Sequence, residues 1–146
     1  MTTADIKQGI INAIAEAFPS TTIYAEKVPQ NFEDGSFRVK SITATNRAEL
    51  DSRRWREVLF DILYFPLSQD EPESEWEIVC NKLFQTVEWI TVSGDTMRGT
   101  ELAGEFDNEQ EVGRFRITFG YHMHEESEKD KMETLTQTRT EGYNYE

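Results

Sequence analysis

The sequence predicts an α+β domain, a mainly antiparallel sheet with two helices packed on one face. Three observations lead there. Trp76, Val79, Cys80, Leu83, Phe84 and Val87 fall at i, i+3, i+4, i+7, i+8 and i+11, the cleanest helical stripe in the chain. Ile6, Ile10, Ala13, Ile14 and Ala17 draw a second stripe near the N terminus. Residues 97–106 and 112–123 read as the strands of a hairpin, joined by the acidic loop 107–111.

Taken in order, the first helix is opened by Thr2-x-x-Asp5, a capping pattern, and stopped by Pro19 after Phe18. Residues 21–25, rich in β-branched and aromatic side chains, make a short strand. "VPQNFEDGS" carries Pro29, Asn31, Asp34 and Gly35 and reads as a loop, and residues 36–45 alternate as a second strand. "SRRWREVLFDILYFP" fits two templates. Trp55, Val58, Leu59 and Ile62 match a helix, whereas Val58, Phe60, Ile62 and Tyr64 match a strand. The density of β-branched and aromatic residues favours the strand, and Leu59, Leu63 and Phe65 make its second face apolar too, which places it in the middle of a sheet. The second helix follows, within "SQDEPESEWEIVCNKLFQTVEWI", with acids in its first turn that suit the helix dipole. The α+β domain spans residues 1–124. Residues 125–146 form an acidic tail or arm with few large apolar side chains. Its threonine-rich "TLTQTRT" leaves two readings open, a mobile tail or an arm that adds a strand to a neighbouring sheet edge.

At 146 residues the chain can bury roughly two-thirds of its unfolded surface and needs no metal or disulfide to hold together. The single cysteine, Cys80, excludes an internal disulfide and fits a reducing compartment. No stretch resembles a signal peptide, and no apolar run nears the ~20 residues of a membrane span, so a soluble cytoplasmic product is expected. With 28 acidic residues against 15 basic, the net charge is −13. That field repels phosphates and argues against a nucleic-acid reader. It suits a DNA mimic, a highly soluble protein, or a part that DNA must slide past.

His122-x-His124 is the most obvious candidate for chemistry, since residues two apart on a strand share a face at roughly 7 Å. These are the only two histidines, however, and alternation puts them on the face of Arg114 and Arg116, where cations oppose a metal. No metal site is expected. Cys80 sits in an apolar stripe and reads as a buried structural thiol rather than a nucleophile. No nucleophile elbow, phosphate-cradling glycine loop or Cys-x-x-Cys pair is present, and no cofactor is implied. The arginines say more. Arg53, Arg54 and Arg56 cluster before the central strand, Arg98 lies in the hairpin, and Arg114 and Arg116 lie in the last strand. Such patches either pair with nearby acids or dock onto acidic loops of an identical neighbour, as in a head-to-tail ring. His122 and His124 join them as candidate subunit or partner contacts, with assembly sensitive to pH in the ordinary histidine range. A His122→Ala/His124→Ala variant that assembles unchanged from about pH 5.5 to 8 would count against that role.

The helix ending in "FP", the run "TTIYAEKVPQNF", the central "LFDILYFP" before a helix, and the strands "MRGTELAGEF" and "RFRITFGYHM" occur in one order. Together they resemble the tail terminator proteins of tailed bacteriophages and phage-like contractile particles, in the branch found in phages and defective prophages of Gram-positive bacteria. The likeness covers about residues 4–124. It implies a fold similar to the lambda-type terminator and a structural, non-enzymatic subunit that assembles as a six-fold ring. In that family the ring binds the last ring of tail tube protein, stops polymerisation and offers a surface to the head–tail connector. In contractile tails it also meets the sheath, and DNA passes through without specific binding. Three other roles compete: a head–tail joining or stopper protein, an acidic DNA-mimic inhibitor, and a metal-dependent hydrolase using His122 and His124.

Overall fold

The computed structural model describes residues 2–124, with side chains through Met123. The elements run α1 (Thr3–Ala17), β1 (Ile23–Tyr24), β2 (Ser36–Ala48), β3 (Arg53–Phe65), α2 (Pro72–Thr86), β4 (Trp89–Val92), β5 (Asp95–Asp107) and β6 (Val112–His124). The strands form one sheet in the order β1-β2-β3-β6-β5-β4. β1 pairs parallel to β2, while β5 pairs antiparallel to both β4 and β6. This is the predicted α+β class, and β3 lies inside the sheet as its two apolar faces require.

By contact density the chain forms two compact units, and β2, β3 and β6 contribute residues to both. The larger unit holds Met1–Ala44 and Val58–Phe119. The smaller holds Thr45–Glu57 and, among the described residues, 120–124.

In the larger unit, α1 begins at a capping box. The Thr2 hydroxyl accepts the Asp5 amide at 3.2 Å, and the Asp5 carboxylate accepts the Thr2 amide at 2.9 Å. Ile6, Ile10 and Ile14 are fully buried, each stabilising by about 2 kcal/mol. Gly9 lets α1 approach β4, since a Cβ there would lie 2.9 Å from the Thr91 carbonyl oxygen. The two helices touch each other and share β4, so they cover the same face of the sheet. α2 lies across β5 and β6: Trp76 fills the space over Gly113, Cys80 Sγ sits at Gly104, and the Phe84 ring meets Phe115 at 5.0 Å. Beneath them Phe115, Ile117 and Phe119 are fully buried.

The structure corrects the sequence reading in three places. The apolar pattern through Val87 suggests a longer second helix and hides β4. The helix stops at Thr86, and Ser93 (φ 52°) and Gly94 (φ 87°) form a two-residue turn of the type that matches strand twist. That turn pairs Trp89–Val92 with β5 from Asp95 to Arg98. Second, β5 is not one regular strand. Its register shifts between Thr100 and Ala103, where Glu101 has φ 54°. The extra residue turns Gly104 and Phe106 toward the helices, whereas Met97 and Gly99 face them before it. Third, Cys80 is half-buried rather than fully enclosed.

Candidate assembly surfaces

The face of the sheet opposite α1 and α2, in the larger unit, carries most of the unexpected chemistry. β3 alternates Val58, Phe60, Ile62 and Tyr64 toward the helices, so Asp61 points to the other side. There it meets Arg114 of β6, whose Nη1 lies 3.1 Å from Asp61 Oδ2. Arg114 Nε also lies 3.6 Å from Asp107 Oδ2, at the end of β5. Arg38 and Lys40 of β2 and Arg116 of β6 complete the surroundings of the carboxylate.

Asp61 is only 5% exposed, although it lies on the face opposite α1 and α2. Burial pushes its carboxyl up from the usual range, and the attraction of Arg114, Arg116, Lys40 and Arg38 opposes that rise. Among the described residues, buried Asp61 Oδ1 and Arg38 Nε have no hydrogen-bond partner. Arg38, Lys40 and Arg116 make no salt bridge among the described residues.

The helix side of the same unit is acidic. Asp70, Glu71, Glu73 and Glu111 line a groove between the start of α2 and the β5–β6 hairpin, together with Phe106 and Asn108. Glu75, one turn into α2, is held for structure instead. It accepts the Tyr64 hydroxyl at 2.5 Å and the amides of Leu67 and Ser68 at 2.8 Å each. Burial raises its pKa, but these three bonds outweigh burial and leave it below the usual carboxylate range. Burial and the same Tyr64–Glu75 bond push the Tyr64 phenol up.

The eight residues singled out from sequence are distributed as follows. Arg114 and Arg116 share the Asp61 cluster. Arg98 pairs instead with Glu88 at 2.9 Å and lies over exposed Trp89, 5.2 Å from the ring centroid. Arg53, Arg54, Arg56 and His122 belong to the smaller unit. Arg56 Nη2 donates to Asn46 Oδ1 at 3.4 Å, and Arg54 Nη1 donates to the Arg53 carbonyl at 3.3 Å. His122 Nδ1 lies 3.2 Å from Glu49 Oε1, with its ring 4.7 Å from Trp55, which itself packs over Gly120. His124 ends β6, and its side chain lies outside the described residues, as does the arm 125–146. Sequence reading missed Arg38, Lys40 and Asp61. A lone acid inside the apolar run "LFDILYF" is the signal that could have found the cluster.

Among the described residues no three His, Cys, Asp or Glu side chains converge as a metal-binding group. Burial pushes the Cys80 thiol up, which disfavours the nucleophilic thiolate. No helix among the described residues is long and apolar enough to cross a membrane. The arrangement offers charge complementarity: a cationic sheet face and an acidic groove.

No curated protein matches the chain. The family model described as "Phage tail terminator protein" matches residues 5–133, which is most of the sequence and extends past the end of β6. The match covers far more than half of the chain, and the chain belongs to the phage tail terminator protein family, structural proteins of the virion tail that act with other tail proteins.

Proposed function

We propose that the chain is the subunit of a closed ring, six copies in number, that caps the tail tube of a phage or phage-like particle. One side of the ring matches the exposed end of the tube. The other does not reproduce that end, so no further tube ring can add. The free side then receives the head–tail connector, and in a contractile tail the rim also meets the last sheath ring. The family match over residues 5–133 is the observation that carries this reading. The net charge of −13 is in keeping with DNA passing through the lumen without adhering. Complementarity of surfaces accomplishes the whole task, so no catalytic group is called for.

Native mass spectrometry of the protein, alone and with assembled tail tube protein, tests the reading. The expected result is a closed multiple of the 17.0 kDa chain on or released from tubes. A chain that stays monomeric beside tubes, yet is retained by portal or connector protein, identifies a head–tail joining protein instead.

A further inference from the structure

Acids outnumber bases 28 to 15 in this chain, and among the described residues Arg47, Arg98 and Arg114 each pair with a carboxylate. Arg38, Lys40 and Arg116 are gathered around one buried acid, yet none makes a salt bridge among the described residues. Asp61 is already engaged by Arg114, and Arg114 is shared with Asp107. Glu105 stands opposite Arg114 in the β5–β6 register, whereas Arg116 stands opposite Ala103, which offers no charge. Among the described residues the three cations share the attraction of Asp61 and form no salt bridge of their own. Two buried polar atoms in the same cluster, the donor Arg38 Nε and the acceptor Asp61 Oδ1, also lack partners among the described residues.

A counter-surface exists on the same unit. Asp70, Glu71, Glu73 and Glu111 make no salt bridge among the described residues. They lie on the helix side, since the groove is built from the first turn of α2 and from Phe106, which pairs with Gly113 beneath Trp76. The cations lie on the side opposite α1 and α2, with Asp61 and Arg114. Two complementary patches on opposite faces of one sheet cannot satisfy each other within a chain. A two-fold contact of either patch with itself would set like charges together. A contact between different patches propagates head to tail, and closes into a ring when the rotation permits.

We propose that the cationic sheet face at Arg38, Lys40 and Arg116 seats the acidic groove of a second copy of this chain, and that this is the contact closing the ring. The inference rests on the ring reading above and specifies its interface. Arg116 and Lys40 are exposed and meet carboxylates of the neighbour, while half-buried Arg38 fixes the depth of seating. DNA phosphate is a poorer occupant, because the whole-chain field of −13 opposes its approach.

Charge reversal tests this with the full chain. One variant, Lys40→Glu/Arg116→Glu, carries acid on both patches; a second, Asp70→Lys/Glu73→Lys/Glu111→Lys, sets three lysines against one remaining acid in the groove and so carries cations on both. Each alone is expected to lose rings by at least tenfold in native mass spectrometry with tube protein present. Mixed in equal amounts they should recover rings containing equal numbers of the two variants, because alternate subunits again present opposite charge. Melting temperatures near wild type for both variants, and a graded loss in Lys40→Gln/Arg116→Gln, show that folding is intact. Wild-type rings that persist in either reversed variant, or folded variants that stay apart when mixed, overturn the interface but leave the ring. Normal rings of Lys40→Glu/Arg116→Glu that no longer bind tubes assign the face to tube protein and also overturn it. A wild-type chain that forms no ring even on tubes removes the ring reading and this inference with it.

Discussion

Glu75→Gln isolates the junction that ties α2 to the end of β3. The carboxylate accepts three hydrogen bonds, from the Tyr64 hydroxyl at 2.5 Å and from the Leu67 and Ser68 amides at 2.8 Å. Glutamine keeps the shape but presents one oxygen where two accepted, and turns an amide donor toward other donors. Hydrogen bonds to a charged group contribute about 1.5–3 kcal/mol each when buried. Glu75 is only half-buried, so water compensates part of the loss, and the expected cost is about 2 kcal/mol in total. With an unfolding entropy of about 2.1 cal/mol/K per residue, that lowers the melting temperature of a 146-residue chain by about 6 °C. The pH dependence has a definite sign. Burial raises the Glu75 pKa, but its three hydrogen bonds bring it below the unfolded value of 4.5, so the stabilisation is complete above that pH. It disappears as pH falls through the folded value. Calorimetric melts of wild type and variant should therefore differ fully at pH 7 and converge on acidification below 4.5. A variant within about 1 °C of wild type at pH 7, or a gap that widens in acid, would refute the reasoning.

Arg114→Met leaves Asp61 buried without its ion pair and is expected to cost about 3 kcal/mol at pH 7. Burial already holds the Asp61 pKa above its unfolded value, so the native state binds the proton more tightly. Urea titrations of this variant should show stability rising as pH falls from 7 toward 5, and a flat profile contradicts the assignment. Gly113→Ala drives a Cβ into the Trp76 indole, which cannot yield as a flexible chain would. The expected loss of about 1–3 kcal/mol is measured by denaturant unfolding, and a neutral effect would mean that α2 does not lie across β6. Thr2→Ala removes one half of the capping box and should cost about 1 kcal/mol, seen as faster amide exchange in the first turn of α1.

The elements that a local pattern specifies were legible in the sequence. The Thr2-x-x-Asp5 box, the stripe from Ile6 to Ile14 and the stop at Pro19 describe α1 as it stands. The doubly apolar run from Val58 to Phe65 locates β3 inside the sheet. β4 escaped because its four residues continue an apolar rhythm begun in α2, and only Val87 and Glu88 separate the two elements. The bulge at Glu101 depends on pairing with β6, which no local window contains. The arginines were visible as a list, but their sorting was not. Arg98 finds Glu88 because β4 stands beside it, and β4 was the missing strand. Arg38, Lys40, Asp61, Arg114 and Arg116 come from three strands, so their convergence is a property of strand order. Alternation alone placed Arg114 and Arg116 on one face, and Asp61 could have been added by the same argument.

In the proposed function the chain ends tail tube growth by capping the tube as a ring. Electron microscopy of tube protein polymerising with increasing amounts of the chain measures this directly. The expected result is tubes that shorten as the chain is added, each ending in a ring of density at one end only. Tubes whose lengths and ends are unchanged at stoichiometric excess of the folded chain would contradict it.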